Sequence, residues 1–363
     1  MILASIVAIA VPIAFLFLVR CLDLYASGSF KAVVICFGWG LAAYFLAFQV
    51  NTFLLPFVGL GLILTLFAPI VEEIGKSLIL IYYVRRPDFT YFVDGAIYGF
   101  AAGAAFAILE TNLLYLNQAG PEGTLLAALS RSFSTALMHG SATALVGVSL
   151  GLLRFGRGLS RVASVLLGWA AAMTLHIVFN NISNSDLGLL KMVLAIVLGL
   201  GGVGLNAALI FWGLNDERKW LCETLQLDVG VSAGESAVVQ QMDDLDRLLA
   251  PIAQRFGAEK RKQVEKFLQL QAQLGLKRKV QEMTPDAKLR EEMATQIAAI
   301  RAEMDTLRRA VGVYCMAYVR SILPPETEPL WTRLAQAMET QQPRGPSLWT
   351  TLNERMKAES SEQ

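Results

Sequence analysis

Residues that cross-link a chain or give it a strong overall charge are scarce in this sequence. Only four of the 363 residues are cysteines, and they lie far apart with no CxxC pair, so neither a disulfide framework nor a cysteine-based zinc site is indicated. The formal net charge of +1 gives no basic field of the kind that binds nucleic acid. Only two histidines are present and no HExxH motif joins them, so the common zinc-protease motif is absent.

Apolar residues, by contrast, are abundant and are concentrated in the first part of the chain. They make up 55% of the sequence, the mean hydropathy is +0.49, and nearly all of the excess precedes Asn215. A membrane-spanning helix requires about 20 mostly apolar residues. Such segments occur at 2–19, 32–54, 56–84, 92–117, 130–153, 162–183 and 187–213. The sequence therefore predicts an all-α polytopic membrane helix bundle with about seven transmembrane helices.

Positive charge alternates between the loops that connect these segments. Lysine and arginine flank the first, third and fifth loops, at Arg20, Lys31, Arg85, Arg86, Arg154, Arg157 and Arg161. The even-numbered loops hold almost none, and loops rich in these residues stay in the cytoplasm. We therefore expect a multi-pass protein of the cell membrane, taken as the bacterial inner membrane, with its N-terminus outside and its C-terminus cytoplasmic. The first segment lacks a basic region and an Ala-x-Ala site, which predicts a retained anchor rather than a cleaved signal peptide.

After residue 214 the composition becomes that of a soluble, helix-prone region. We therefore divide the chain into a transmembrane core at 1–214, a cytoplasmic helical region at 215–340 and a tail at 341–363. The tail is rich in glutamine, serine and charged residues, a composition typical of disordered segments.

The cytoplasmic region contains an apolar helical stripe, here called the seam, that must pack against another surface. Helical patterns occupy residues 241–256, 258–281 and 286–322, the last of which begins with Thr284 as its cap and Pro285 in its first turn. From Leu289 to Tyr314, apolar residues recur every three or four positions, as in a coiled coil. The seam must pack on the preceding helices, on a second copy of the chain, or on a cytoplasmic partner bound through residues 241–322.

Ionisable residues occur inside four of the predicted membrane helices, where each costs about 2.5–3.5 kcal/mol if it faces lipid. They are Glu72, Glu73 and Lys76 in the third helix, Glu110 in the fourth, His139 in the fifth and His176 in the sixth. Lipid exposure of the four charged residues together would cost on the order of 10 kcal/mol. These side chains must therefore face the interior of the bundle or a water-filled cavity.

The predicted topology also brings these residues to a similar depth. Glu72 and Glu73 lie about 18 Å from the cytoplasmic end of their helix, at a rise of about 1.5 Å per residue. Glu110 and His176 lie roughly 10 Å below the outer surface, and His139 roughly 13 Å below it. In a hydrocarbon core of about 30 Å, all five converge on one layer between the midplane and the outer face. A shared depth of this kind is expected of an active site.

Helical spacing indicates which of these side chains share a face. Glu72 lies on a stripe of small residues and is the better candidate to face a cavity, whereas Glu73 lies on a more apolar stripe. Lys76 follows Glu72 by four residues, so an ion pair between them is the competing, structural role. His176 and Asn180 are also four residues apart and are expected to point at the same substrate atom.

The fourth helix carries a glycine repeat and an acidic residue at its start. Gly95, Gly99 and Gly103 are expected to let a neighbouring helix approach closely. Asp94 is expected to favour the helix dipole rather than to take part in catalysis.

Four motifs in this part of the chain resemble those of the PrsW family of intramembrane proteases. Residues 72–76, Glu-Glu-Ile-Gly-Lys, match the family's EExxK motif, and residues 94–110 resemble its glycine-rich fourth-helix motif. Residues 131–140 and 176–180 are similar to its two histidine motifs. The resemblance is specific because the motifs occur in the family's order, on separate helices, within residues 56–183.

The resemblance implies a proteolytic site related to that of the CAAX-processing membrane proteases. The site residues that it carries over are Glu72, Glu73, Glu110, His139, His176 and Asn180. Glu72 would be the base with Glu73 as its neighbour, and the histidines and Asn180 would complete the site. The implied substrates are membrane-anchored proteins, such as single-pass anti-sigma factors, cut near the outer face. Thr111 departs from the family pattern, in which asparagine commonly follows the glutamate directly.

Two other interpretations remain open from the residues alone. His139 and His176, with Glu72 or Glu110, would form a His2Glu zinc set with one open position, although no other cofactor is indicated. Alternatively, the buried charges could line the ion path of a channel or transporter, or belong to a signalling scaffold. No inverted repeat is visible to support a transporter. In each case the lipid bilayer is a partner, and in the protease a membrane-anchored protein is another.

Overall fold

The protein is helical throughout the part of the chain that the structure, a computed structural model, describes: residues 1–25, 28–118, 124–155, 159–225 and 245–322. The membrane region contains α1 (Ile2–Cys21), α2 (Phe30–Val58), α3 (Leu60–Leu62), α4 (Ala68–Tyr83), α5 (Phe92–Leu109), α6 (Thr124–Phe133), α7 (Thr135–Leu153), α8 (Leu159–Ser183) and α9 (Leu189–Leu225). The C-terminal helices are α10 (Leu245–Phe256), α11 (Ala258–Met283), α12 (Ala287–Val311) and α13 (Val313–Ile322). The predicted tail at 341–363 lies outside the described residues.

Within the residues that the structure describes, six helical stretches are long and apolar enough to cross a membrane. They are Ile2–Cys21, Phe30–Val58, Phe92–Tyr115, Thr124–Leu153, Val162–Ser183 and Leu189–Leu221. A multi-pass membrane protein that is all-helical over the described residues is thereby confirmed. The predicted third span, 56–84, is not among the six, because α4 carries three charged residues, Glu72, Glu73 and Lys76. A count of seven spans therefore stays a prediction.

Helices α5 and α7 form the centre of the bundle, and the glycines of α5 set their separation. A Cβ atom on Gly95, Gly99 or Gly103 would overlap a backbone carbonyl oxygen of α7, at Gly147, Thr143 and His139 respectively. Only glycine allows backbones to approach this closely. The predicted packing role of the glycine repeat is confirmed, and the contact at Gly103 fixes the position of the His139 backbone.

Two π-helical turns flank the region where the glutamates lie. One, Ile63–Phe67, leads into α4, and the other, Glu110–Tyr115, continues α5. The first turn is held by α8, because Asn180 Nδ2 donates to the Leu64 carbonyl at 2.8 Å and Asn181 Nδ2 donates to the Thr65 carbonyl at 3.2 Å. Turns of this type are frequent at functional sites.

The predicted fifth segment, 130–153, is divided into two helices. Helix α6 ends at Phe133, and Ser134 separates it from α7 with φ −114° and ψ −77°. The Ser134 hydroxyl donates to the Ser130 carbonyl at 2.6 Å, a local hydrogen bond that competes with a continuous helix. Sequence periodicity did not predict this break.

The C-terminal helices differ from the prediction in two local features. The predicted single helix at 286–322 is wrong, because Gly312, with φ +86°, separates α12 from α13. The cap of α12 is Asp286 rather than Thr284. Its Oδ1 accepts hydrogen bonds from the backbone amides of Lys288 at 2.9 Å and Leu289 at 3.3 Å.

The apolar seam of α12 packs within the chain. Met293, Ile297, Met304 and Val311 are buried, and α12 lies against α11. Of the alternatives for the seam, packing on the preceding helices is the one that the structure contains. Tyr314 is 88% exposed, so the seam ends at Val311 rather than at Tyr314. A second copy of the chain or another protein as partner stays a prediction.

The C-terminal helices also contact the loop that joins α4 to α5. Gln296 Nε2 of α12 donates to Asp88 Oδ1 at 2.6 Å, and Lys277 Nζ of α11 donates to the Pro87 carbonyl at 3.2 Å. Burial lowers the pKa of the Lys277 ammonium. Helix α9 continues to Leu225 across the predicted boundary at 214, and that boundary stays a prediction.

Candidate active site

Two adjacent glutamates of α4 face different surroundings. Glu72 and Glu73 are one residue apart, so their side chains point about 100° apart around the helix. Glu73 and the nearby Lys76 are fully buried, whereas Glu72 retains 8% exposure and lines a cavity. The two carboxylates therefore have different access to a substrate.

The carboxylate of Glu73 is fully used in contacts within the protein. Its Oε1 lies 2.6 Å from Lys76 Nζ and 2.9 Å from His176 Nδ1, and its Oε2 accepts a hydrogen bond from Thr143 Oγ1 at 3.0 Å. The competing ion pair predicted for Glu72 is thus wrong, because Lys76 pairs with Glu73. Glu73 links three helices, α4, α7 and α8, through charged and polar contacts.

Lys76 determines which nitrogen of His139 carries a hydrogen. Its Nζ lies 2.7 Å from His139 Nδ1. An ammonium group has no acceptor, so Nδ1 must accept and the ring hydrogen lies on Nε2. That nitrogen lies 3.3 Å from Glu110 Oε2. His139 therefore donates toward Glu110.

Glu110 is held by an arginine that the sequence analysis did not include in the site. Arg131 Nη2 donates to Glu110 Oε2 at 2.7 Å, and Arg131 Nε donates to Thr111 Oγ1 at 3.3 Å. The guanidinium also lies 3.4 Å from the centroid of the Tyr115 ring. Arg131 lies on α6, just before the break at Ser134, and this break gave no signal in the periodicity.

His176 is held so that its second ring nitrogen faces Glu72. Its Nδ1 carries the hydrogen, because the Glu73 carboxylate beside it accepts. Nε2 is then the acceptor nitrogen, and it lies 3.8 Å from Glu72 Oε2. A carboxylate that orients a histidine in this way is common at hydrolytic and metal sites. The rings of His139 and His176 contact each other edge to face, with centroids 4.6 Å apart.

A cavity of about 160 Å³ opens in front of these residues. Its polar lining includes Glu72, Glu110, Asn180 and Asn51, and its apolar lining comes mainly from α2, α3 and the π-helical turns. Glu72 Oε2 is buried, and among the described residues it has no hydrogen-bond partner. The two histidines lie behind the carboxylates rather than on the cavity wall.

Three of these side chains could hold a metal ion. Ligand atoms of Glu72, His139 and His176 all lie within 4.8 Å of one another. Glu72 Oε2 and His176 Nε2 each present a lone pair, as a zinc ligand requires. Nε2 of His139 carries a hydrogen while Lys76 holds Nδ1, so this nitrogen would coordinate only if that contact opened. Glu72 and His176 could therefore bind a metal ion in their present positions. His139 could bind it once its contact with Lys76 opened.

The six predicted site residues thus fall into two positions, and Asp94, which was not predicted to belong to the site, lies elsewhere. Glu72, Glu110 and Asn180 line the cavity, while Glu73, His139 and His176 lie directly behind it. Asp94 lies apart, about 24 Å along the helix axis from Glu110 at about 1.5 Å per residue. Its Oδ2 accepts from the backbone amide of Thr90 at 2.6 Å, which places the carboxylate at the start of α5.

Comparison with known proteins identifies the family of this membrane region. No curated protein and no solved structure matches the chain. The sequence model of a family described as "PrsW family intramembrane metalloprotease" matches residues 28–203, a range that contains the whole side-chain cluster. Residues 28–203 therefore match the PrsW family of intramembrane proteases, as the sequence motifs predicted.

Proposed function

We propose that this membrane peptidase hydrolyses peptide bonds of membrane-anchored proteins and that Glu72 is the base that activates water. The match to this family supports a peptidase that acts within the membrane. The single observation that carries the assignment of the base is that Glu72 Oε2 is buried at the cavity without a hydrogen-bond partner among the described residues. Glu73 cannot take this role without giving up its contacts to Lys76, His176 and Thr143.

The proposed hydrolysis uses two hydrogen-bond acceptors, the Glu72 carboxylate at the cavity and Nε2 of His176 behind it. Glu72 takes a proton from water while the water oxygen attacks the carbonyl carbon of the scissile bond. When the carbon–nitrogen bond breaks, Glu72 returns this proton to the leaving amine, so that the carboxylate is restored. The acceptor Nε2 of His176, 3.8 Å from Glu72 Oε2, helps to orient the water. General base catalysis of this kind contributes about 10²–10⁴-fold to the rate.

Donors for the developing oxyanion come from Asn180 and His139. One amide hydrogen of Asn180 is used by the Leu64 carbonyl, and its second hydrogen is available at the cavity. His139 Nε2 carries a hydrogen because Lys76 occupies Nδ1, and it can donate to an oxyanion once it turns from Glu110. His176 is the poorer donor, since its hydrogen is engaged by Glu73. Each such donor contributes up to about 10²–10³-fold to the rate.

The substrates that we propose are single-span proteins similar to anti-sigma factors, cut near the outer membrane face. This proposal is supported by the position of Glu72, about 17 Å along α4 from its end at Tyr83 at about 1.5 Å per residue. In the predicted orientation, that end is cytoplasmic, so the cavity lies beyond the midplane. The proposed substrate class is supported by the family resemblance, and the proposed orientation is supported by the loop charges.

A metal-dependent version of the same site is the second candidate. It is supported by the spacing of Glu72, His139 and His176 and by the description of the family as metalloproteases. A bound Zn²⁺ would polarise the substrate carbonyl and lower the pKa of its water. In that case Glu73 would keep its role of orienting His176, and Lys76 would have to release His139 Nδ1.

Cleavage of a synthetic single-span substrate by purified protein in liposomes tests the proposal. Glu72→Gln should lower kcat/KM by about 10²–10⁴-fold, whereas the exposed control Glu282→Gln should leave it unchanged. Activity that persists in metal-free protein with chelator supports the metal-independent site, and recovery on adding Zn²⁺ supports the second candidate. Ion flux or solute transport without any cleavage would contradict both and favour a channel or transporter.

A further inference from the structure

One polar side chain of α2 lies in the cavity with an unused acceptor. Asn51 lines the same cavity as Glu72, and its Oδ1 atom is buried with no hydrogen-bond partner among the described residues. The sequence analysis did not select Asn51. The signal was a polar pair, Asn51-Thr52, which follows Gln49 in the mostly apolar second half of a membrane helix.

The neighbouring polar residues do not share this feature. The Thr52 hydroxyl donates to the Phe48 carbonyl one turn earlier at 2.7 Å, and Asn112 Nδ2 donates to the Ile108 carbonyl at 2.8 Å. Asn206 also has an unpartnered Oδ1, but its amide binds the Ser141 and Gly202 carbonyls at the contact of α9 with α7, away from the cavity. Asn51 alone among these four residues combines an unused acceptor with a place on the cavity wall.

A buried acceptor without a partner is unfavourable, and in a membrane protein it indicates a ligand. Leaving such an oxygen unpaired costs as much as the hydrogen bond that it fails to make. Polar side chains within membrane helices commonly mark substrate paths for this reason. The missing partner must be a donor that enters the cavity.

The dimensions of the cavity favour an extended peptide as this donor. A helix with its side chains is about 10 Å across, which a cavity of about 160 Å³ does not enclose. A peptide bond can also be attacked only where the substrate helix has opened, and opening leaves main-chain N–H groups without partners. Within a membrane these groups must find acceptors on the protein.

We propose that Asn51 Oδ1 accepts a hydrogen bond from a main-chain N–H of the substrate and so holds an extended segment beside Glu72. This rests on the proposed proteolytic function. Asn51 is then a substrate-binding residue and takes no part in proton transfer. It recognises the peptide backbone, so it contributes to the binding of every substrate sequence rather than to selection among side chains.

The test compares Asn51→Leu with Gln49→Leu on substrates in which single backbone amides are replaced by esters. Gln49 lies one half-turn earlier on α2, is exposed and does not line the cavity, so Gln49→Leu controls for the added apolar character. We expect Asn51→Leu to lower kcat/KM about three- to tenfold and Gln49→Leu to change it less than twofold. In the wild type, replacing one particular substrate amide by an ester should lower kcat/KM about as much as Asn51→Leu does. The same ester should cause no further decrease in kcat/KM in Asn51→Leu.

Thermal unfolding shows whether a loss of cleavage in the Asn51 variant comes from misfolding. Asn51→Leu should unfold at or above the wild-type temperature, because it removes an unsatisfied acceptor. If leucine does not fit, Asn51→Ala takes its place in the same comparison. The proposal is overturned if a folded Asn51 variant cleaves as fast as the wild type, which would mean that water satisfies Oδ1. The proposal is also overturned if every ester lowers kcat/KM by the same factor in the Asn51 variant and in the wild type. In both cases the wild type would still cleave and Glu72→Gln would not, so the proposed function itself would stand.

Discussion

Lys76 Nζ lies between the carboxylate of Glu73, at 2.6 Å, and Nδ1 of His139, at 2.7 Å. One ammonium group therefore joins α4 to α7 and also determines where His139 carries its hydrogen. Within the EExxK motif, Glu73 and Lys76 therefore hold the histidines, whereas Glu72 faces the cavity. The i, i+3 pairing of Glu73 with Lys76 leaves Glu72 without a cation contact.

Replacing Lys76 by methionine should impair both stability and activity. Removing one partner of a buried ion pair costs about 3–5 kcal/mol, because the Glu73 carboxylate is left uncompensated. His139 would also be free to move its hydrogen to Nδ1, which removes the donor at Nε2. Thermal unfolding and kcat/KM measure the two effects, and nitrogen NMR of the histidine ring reports the tautomer. Lys266→Met, at an exposed lysine, is the control. Unfolding and kcat/KM of Lys76→Met equal to those of the wild type would contradict the proposed role of Lys76.

Gly103→Ala should destabilise the protein and lower its activity together. The added Cβ would overlap the His139 carbonyl, so α5 and α7 must separate and the histidine must move. Overpacking of this kind costs about 1–3 kcal/mol. Gly204→Ala, on α9, is the matched control, since nothing lies within 4 Å of its Cβ position. Equal unfolding temperatures for the two variants would mean that the contact between α5 and α7 adapts to alanine.

The predicted orientation can be measured by cysteine labelling in a variant without the four native cysteines. An impermeant thiol reagent applied from outside should label Asn117→Cys, whose position is exposed after the second π-helical turn. Arg85→Cys, exposed after α4, should be labelled only when the membrane is opened. The reverse pattern would overturn the orientation and the proposal that cleavage occurs near the outer face.

A chain that ends after Leu225 should retain cleavage of a simple synthetic substrate. The side chains of the site come from α2, α4, the second π-helical turn, α6, α7 and α8, whereas the C-terminal helices contact the loop at 84–90. We therefore expect these helices to regulate cleavage or to recruit the natural substrate. The measurement is kcat/KM of the membrane-inserted, folded truncation. Complete loss of activity on every substrate tested would mean that the C-terminal helices belong to the enzyme itself.

The side-chain cluster was predictable because burial of charge in a membrane is costly wherever it occurs. Glu72, Glu73, Glu110, His139 and His176 were selected by that cost and by their common depth, and the structure brings them together. Their pairing was not predictable, because Lys76 can reach Glu72 or Glu73 with similar helical geometry. Arg131 was missed as a partner because it lies just before the break at Ser134, which gave no signal in the periodicity.

The helices of the fold were predictable from their apolar length, whereas their interruptions were not. The division at Ser134 and the π-helical turns depend on contacts with other helices, such as the hydrogen bond from Asn180 to Leu64. Gly312 lies within a continuous helical pattern, and its positive φ is visible only in the backbone. Tyr314 fitted the spacing of the seam but follows this glycine, which rotates it into solvent.

The most direct test of the account compares Glu72→Gln with Glu73→Gln, measuring cleavage and thermal unfolding on the same preparations. Since Glu72 Oε2 has no hydrogen-bond partner among the described residues, Glu72→Gln should unfold at the wild-type temperature and lose about 10²–10⁴-fold in kcat/KM. Since Glu73 pairs with Lys76 and His176, Glu73→Gln should unfold at a clearly lower temperature. Cleavage at the wild-type rate by Glu72→Gln, with loss of activity confined to a stable Glu73→Gln, would contradict the account.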